Sequence, residues 1–189
     1  MQRTGKVKLP PGKKVSVNLG VDFDAQGIWD GSCNLLSPAY MSRGEFGAEV
    51  GAPRLLELFK KYDIKTSWFI PGHTADTCPD ICKEVLAAGH EIGCHGYVHE
   101  NPTKATYEQE TKVMQMPLES LDKIDAPKPH TYRSPYWDFI PNTIKILQED
   151  GSHYANRLLG HDQHPHYTRT VTPHTDSANA FGEPPEILE

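Results

Sequence analysis

Two aspartates in this 189-residue sequence lie at a spacing that could bring both carboxylates to one metal ion. Asp22 and Asp24 come at the end of an apolar, β-branched run, residues 15–23, that reads as a buried strand. Residues two apart in a strand point to the same side, so both carboxylates should enter one pocket. Two carboxylates at such a short separation repel each other unless a cation lies beside them. A pair of turn-forming acids at a strand end is the alternative interpretation.

Two histidines, His95 and His99, directly follow a second strand candidate, residues 91–94. Histidines four apart lie on one face of a helical turn, so both imidazoles can reach one metal ion. Such a pair alone often binds nothing. An aspartate pair at the end of another strand makes the prediction of a metal site much stronger. Two histidines and one carboxylate leave coordination positions open, as a catalytic metal requires.

A third stretch, residues 132–139, combines an arginine with proline and aromatic residues. Arg133, at the end of a strand candidate, can grip a carboxylate through two hydrogen bonds. Pro135 fixes the backbone, and the amides that follow could point at a developing oxyanion. Trp137 and Phe139 offer apolar walls. An arginine in a surface turn, with the aromatics in the core, is the alternative.

The elements that must position these residues alternate between strand and helix. Strands are predicted at residues 15–23, 66–70, 91–94 and 131–134, and helices from Pro53, from Pro79 to Gly89, over 106–121 with a kink or break at Pro117, and over 142–148. This alternation favours a parallel sheet or a (β/α) barrel, whose strand carboxyl ends form the reactive face. Beyond residue 152 the pattern weakens, so we expect fewer strands than a complete barrel needs.

Composition narrows the classes of partner and compartment. The formal net charge of −6 offers no basic face for phosphates, which argues against nucleic acid. No apolar run approaches the roughly 20 residues that span a bilayer. Residues 1–13 form a polar lead-in without the apolar stretch of a secretory signal, which predicts a cytoplasmic protein. The four cysteines do not form paired C-x-x-C clusters, which argues against a structural zinc module.

The three stretches, in this order, resemble the polysaccharide deacetylase family, also called the NodB homology domain or carbohydrate esterase family four. The resemblance extends from Val15 to about His166. It is closest to the intracellular branch with peptidoglycan-deacetylase-like, cyclic-imide hydrolase and allantoinase-like proteins, to which residues 42–47, 69–73 and 88–93 are also similar. It implies an α/β fold, a distorted (β/α) barrel of the NodB type over residues 14–189, incomplete at its C-terminus.

That resemblance also implies a metal site. Asp24, His95 and His99 match the family's metal ligands, and the implied cofactor is a divalent metal ion, with zinc the leading candidate. In most of the family the two aspartates are adjacent, whereas here Phe23 separates them. The branch named above shares this spacing.

Three further residues receive catalytic roles from the resemblance. Asp22 matches the catalytic base, Arg133 the arginine that orients this base, and Tyr136 the residue whose backbone amide supports the oxyanion. The family also uses a histidine as general acid, in later motifs. None of the histidines between His153 and His174 stands in a matching motif.

The implied activity is metal-dependent hydrolysis of carbon–nitrogen bonds other than peptide bonds. The substrate would be an N-acetylated sugar of an oligosaccharide, or a small cyclic imide or allantoin-like amide. The missing secretion signal favours a small substrate or an intracellular precursor. A relative that binds metal or ligand without turnover is the main alternative, and its open barrel edge would suit a homo-oligomer. A metal-dependent oxygenase shares the two-histidine, one-carboxylate set, but Asp22 and Arg133 suit hydrolysis better.

Overall fold

The structure, a computed structural model, describes residues 9–156, 164–172, 180–182 and 187–188. Five parallel strands form one sheet in the order β1-β2-β3-β4-β5. Their bounds are β1 Gly20–Asp22, β2 Ser67–Ile70, β3 Glu91–Cys94, β4 Thr131–Arg133 and β5 Tyr154–Asn156. Two short strands, β6 Val171–Thr172 and β7 Ala180–Phe181, pair antiparallel beside this sheet.

Six α-helices lie within the described ranges. They are α1 Pro38–Phe46, α2 Ala52–Lys61, α3 Gly72–Thr77, α4 Pro79–Ala87, α5 Tyr107–Asp122 and α6 Pro141–Glu149. Helices connect successive parallel strands, which confirms the predicted α/β class. None of these described helices combines the length and apolar character needed to cross a membrane.

The hydrophobic core lies between one face of the sheet and the helices. Trp68 and Ile70 of β2 are completely buried in it. Phe59 from α2 and Phe23 after β1 both meet the Trp68 ring edge-on, at centroid distances of 6.4 and 5.8 Å. Side chains alternate along β2, so Phe69, which is buried outside this core cluster, faces the other side of the sheet. This second face carries the polar site.

The first predicted strand is much shorter than residues 15–23. Val15 and Val17 are 74% and 76% exposed, and only residues 20–22 pair with a neighbour. The reason is the register: β1 is an edge strand, and β2 begins at Ser67 opposite Gly20, so residues 15–18 extend past it. The predicted lead-in, residues 1–13, falls largely outside the described residues, and its boundary stays a prediction.

A kink or a break was predicted at Pro117, and the break is wrong, because α5 continues through this residue. The helix begins with a capping box between Thr106 and Gln109, which satisfies backbone N–H groups at its first turn. Pro117 is fully buried where α5 crosses α3. A Cβ on Gly72 of α3 would lie only 2.8 Å from the Pro117 Cα, so the small residue permits this close crossing.

Candidate metal centre

The predicted site residues come from three strands whose carboxyl ends meet at one edge of the sheet. Asp22 ends β1, Asp24 follows two residues later, His95 directly follows β3, and Arg133 ends β4. Because these strands are parallel and nearly in register, their ends deliver side chains to the same region.

Asp24, His95 and His99 converge on one point. The Nε2 atom of His95 lies 3.5 Å from Asp24 Oδ1, and the Nε2 atom of His99 lies 3.8 Å from Asp24 Oδ2. The two imidazole rings are nearly perpendicular, with centroids 4.9 Å apart. Each residue offers one ligand atom within 4.8 Å of the others, and this is the only such group in the described part of the chain.

The donor chemistry of this group suits a cation. His95 is 1% exposed, and its Nδ1 lies 2.6 Å from the backbone carbonyl oxygen of Arg133. A carbonyl oxygen only accepts, so Nδ1 carries the ring proton and Nε2 presents a lone pair toward Asp24. Lone pairs that face a carboxylate repel it, and a divalent ion between them turns that repulsion into coordination. The residues therefore fit a divalent metal ion.

The segment between the two histidines is not the helical turn that their spacing suggested. Gly96 has φ +67° and His99 has φ +59°, which breaks any helix. The carboxylate of Glu100 instead accepts hydrogen bonds from the backbone N–H groups of Tyr97 and Val98, at 3.0 and 2.7 Å. Both imidazoles still reach Asp24, but through an irregular loop that Glu100 organises.

Asp22 and Arg133 form an ion pair beside this group. Arg133 Nη1 donates to Asp22 Oδ1 at 2.5 Å, and the side chains are 13% and 30% exposed. The central carbon of the guanidinium, Cζ, lies over the Phe69 ring, 3.9 Å from its centroid. Gly20 leaves room for the guanidinium, since a Cβ on residue 20 would lie 2.6 Å from Arg133 Nη2. The arginine is therefore confined, and its carbonyl and side chain link His95 with Asp22.

The loop after β4 holds Tyr136 next to His99. The Ser134 hydroxyl lies within hydrogen-bonding distance of the carbonyl oxygens of Pro135 and Asp138. Tyr136 and Trp137 have φ values of +59° and +58°, a left-handed conformation that costs about 1–3 kcal/mol at each bulky residue. Such strain persists only where contacts fix it, as the Ser134 hydroxyl does here.

Of the two aromatic residues predicted to form apolar walls, one is exposed and the other packs against the core. Trp137 is 72% exposed, next to Tyr136, whose ring centroid lies 5.9 Å from that of His99. Phe139 instead packs on Tyr132 in the core, at a centroid distance of 6.1 Å. Only Trp137 thus remains on the accessible side.

Three residues near the ligands were not predicted from the sequence. Glu100 directly follows His99, so its position beside the candidate metal ligands was a readable signal in the sequence. Gly20 and Ser32 gave none, because their contacts with Arg133 and His99 depend on the folded sheet. Burial raises the pKa of the neighbouring Cys94 thiol to about 12, so this cysteine is a neutral core group.

Comparison with known proteins places these features in a family. The family model described as polysaccharide deacetylase matches residues 45–155. A peptidoglycan deacetylase from Helicobacter pylori is 42% identical over 158 residues, which are 83% of this chain and 54% of that protein. A peptidoglycan deacetylase-like protein from Gibberella zeae is 32% identical over 183 residues, 91% of this chain and 54% of that protein.

Solved structures agree with the sequence comparisons. A Mycobacterium smegmatis protein assigned provisionally as a polysaccharide deacetylase superposes with a TM-score of 0.81 and 32% identity, over 87% of this chain and 58% of that one. The five parallel strands with their helices correspond to part of its barrel, which confirms the predicted incomplete NodB-type fold. The chain spans about half the length of the curated relatives it matches.

Proposed function

The chain belongs to the polysaccharide deacetylase family, and from this premise we propose that it hydrolyses the acetamido group of N-acetylated amino sugars with the help of a divalent metal ion. The convergence of Asp24, His95 and His99 supports this proposal most strongly. Both curated relatives carry peptidoglycan deacetylase names, which favours a peptidoglycan-type substrate over a cyclic imide. The predicted cytoplasmic location stays a prediction.

The metal ligands in this proposal are one carboxylate oxygen of Asp24 and the Nε2 atoms of His95 and His99. A divalent ion held there, with zinc the leading candidate, would acidify water and polarise a substrate carbonyl. The hydrogen bond from His95 Nδ1 to the Arg133 carbonyl keeps the ring turned toward Asp24. The protein thus contributes a preformed set of three ligand atoms and leaves the remaining directions to water and substrate.

Asp22 is the proposed general base. Its carboxylate lies at the same strand edge as the ligands, where it can accept the proton of the attacking water. Arg133 holds one carboxylate oxygen at 2.5 Å, so it fixes the direction in which the other oxygen points. The Tyr136 backbone amide is the proposed donor to the oxyanion, on the loop that Ser134 braces. We assign no general acid among the described residues.

The experiment that tests this function is a product assay with the purified, zinc-loaded protein. N-acetylated chito-oligomers and peptidoglycan fragments should yield equal amounts of acetate and free amine. Allantoin and succinimide, offered in parallel, should stay intact. Ring opening of either compound without acetate release would replace the deacetylase proposal with the cyclic-amide alternative. Zinc and sugar binding without any product would favour a non-catalytic role.

Replacing Gly20 with alanine should disturb the position of Asp22, the proposed base, without unfolding the protein. In Gly20→Ala the new Cβ would displace the Arg133 guanidinium, the mobile end of a long side chain. Because Arg133 would then release Asp22, we expect kcat for acetate release to fall about 10- to 100-fold, with zinc content unchanged. Gly47→Ala is the control, because a Cβ there meets nothing within 4 Å. An unchanged kcat in Gly20→Ala would show that this confinement does not matter.

A further inference from the structure

We propose that Ser32 is a positioning residue for the metal site, which sets the proton of the His99 ring, and that the Tyr136 phenol holds Ser32 in place. This inference rests on the proposed function, because it concerns how His99 offers Nε2 to a metal ion. Ser32 ends a π-helical turn, Ile28–Ser32, in the connection between β1 and α1. Irregular turns of this kind are frequent at functional sites.

The turn approaches the histidine loop unusually closely. A Cβ at Gly31 would overlap the backbone carbonyl oxygen of Val98, so only glycine allows this contact. The approach places the half-buried Ser32 hydroxyl 2.5 Å from His99 Nδ1 and 2.8 Å from the His99 carbonyl oxygen. One hydroxyl therefore contacts both the ring and the backbone of the same ligand residue.

Counting protons fixes the direction of these two hydrogen bonds. The His99 carbonyl oxygen can only accept, so the single hydroxyl proton of Ser32 is donated to it. The Ser32 oxygen then accepts from His99 Nδ1, which must carry the ring proton. The remaining ring nitrogen, Nε2, is left with the lone pair that faces Asp24. Ser32 thereby selects the tautomer that can bind a metal ion.

Tyr136 holds the other side of Ser32. Its phenol donates a 2.6 Å hydrogen bond to the Ser32 backbone carbonyl oxygen. The same residue has the left-handed φ of +59°, and its ring lies against that of His99. The side chain of Tyr136 thus contributes to the ligand geometry, separately from the proposed oxyanion role of its amide. Ser32, His99 and Tyr136 form one connected unit.

Zinc affinity of the 189-residue chain, measured by competition with a fluorescent chelator, tests this inference. Ser32→Ala should bind zinc about 10- to 100-fold more weakly, the usual cost of losing an outer hydrogen-bond partner of a metal-binding histidine. Tyr136→Phe should show a smaller loss. In the double variant the Tyr136→Phe loss should shrink, since the phenol acts through Ser32. Ser42→Ala is the control, because its exposed hydroxyl bonds only within α1, and its affinity should not change.

A second readout reports the tautomer directly. Long-range proton–nitrogen NMR correlations of the zinc-free protein at pH 8 should show the Nδ1–H form of His99, identified by its loss in His99→Ala. In Ser32→Ala this form should give way to a mixture with the Nε2–H form. An affinity within threefold of the parent, or an unchanged tautomer signal, would overturn the role of Ser32. Fully additive losses in the double variant would overturn the link through Tyr136.

The variant His99→Ala separates this inference from the proposed function. If His99→Ala loses zinc while Ser32→Ala keeps it, the metal site stands and only the role of Ser32 is wrong. If His99→Ala binds zinc as tightly as the parent, the proposed site itself is wrong, and the inference about Ser32 falls with it. Thermal unfolding of each variant, measured alongside, checks that the fold is intact in these comparisons.

Discussion

Replacing His99 with alanine should remove tight zinc binding and leave a folded protein. The variant loses one of the three converging ligand atoms, and a carboxylate and a single imidazole hold zinc far less well than the full set. We expect the affinity to fall by more than about 100-fold, beyond the effect expected for an outer partner such as Ser32. Elemental analysis after dialysis and chelator competition both measure this loss.

The matched control is His130→Ala. His130 is exposed and directly precedes β4, so it lies at the amino end of a strand, opposite the edge that carries the ligands. This variant loses an imidazole from the same sheet and should retain its zinc. Equal zinc content in His99→Ala and the parent protein would remove His99 from the site.

Replacing Asp22 with asparagine should strongly reduce turnover and leave the metal in place. Asparagine keeps the size of the side chain and an oxygen that can accept the hydrogen bond from Arg133. It cannot take a proton from water, so kcat should fall about 10²- to 10⁴-fold, the range that a positioned base contributes. The zinc content should equal that of the parent, because Asp24 rather than Asp22 belongs to the ligand group.

The control for this charge change is Asp80→Asn, which alters an exposed carboxylate in the first turn of α4. Its kcat should match that of the parent within about twofold. A kcat for Asp22→Asn within tenfold of the parent would show that another group acts as the base. Loss of zinc from Asp22→Asn would instead assign this aspartate to the metal.

The order of strands and helices could be predicted from local patterns. β2 is a short apolar segment that ends before Pro71, and α4 begins at the predicted Pro79 and ends at Ala87, two residues before the predicted Gly89. Parallel strands follow from this alternation, and with them the expectation that Asp24 and His95 meet at one edge. Local sequence is informative here because hydrophobic periodicity and turn residues determine these elements.

The apolar pattern of the sequence was least informative about the length of strands, which depends on the neighbouring strand. The apolar run 15–23 gives only a three-residue strand, because β2 starts opposite Gly20 and offers no partner further back. β5 was not predicted, since Ala155 is the only buried residue among its three. Apolar periodicity reports burial on a face, whereas strand length depends on the register between neighbours.

Local sequence patterns could not predict the contacts within the site, because they join distant parts of the chain. Arg133 and Asp22 are 111 residues apart, and only the family resemblance implied that they pair. Ser32 and His99 are 67 residues apart, and nothing in the sequence indicated their contact. The spacing of His95 and His99 predicted that both rings can reach one point, and they do, but the predicted helical turn is wrong. A loop braced by Glu100, rather than a helical turn, brings the two rings together. Side-chain identity predicts which groups can bind a metal, and only the fold determines how they are held.

The central claim is that Asp24, His95 and His99 hold one divalent ion, and anomalous X-ray diffraction from zinc-containing crystals tests it most directly. We predict one strong peak at the zinc edge, about 2.0–2.2 Å from an Asp24 carboxylate oxygen and from Nε2 of both histidines. A zinc peak held by other residues, or no peak between these three side chains at saturating zinc, would contradict the claim.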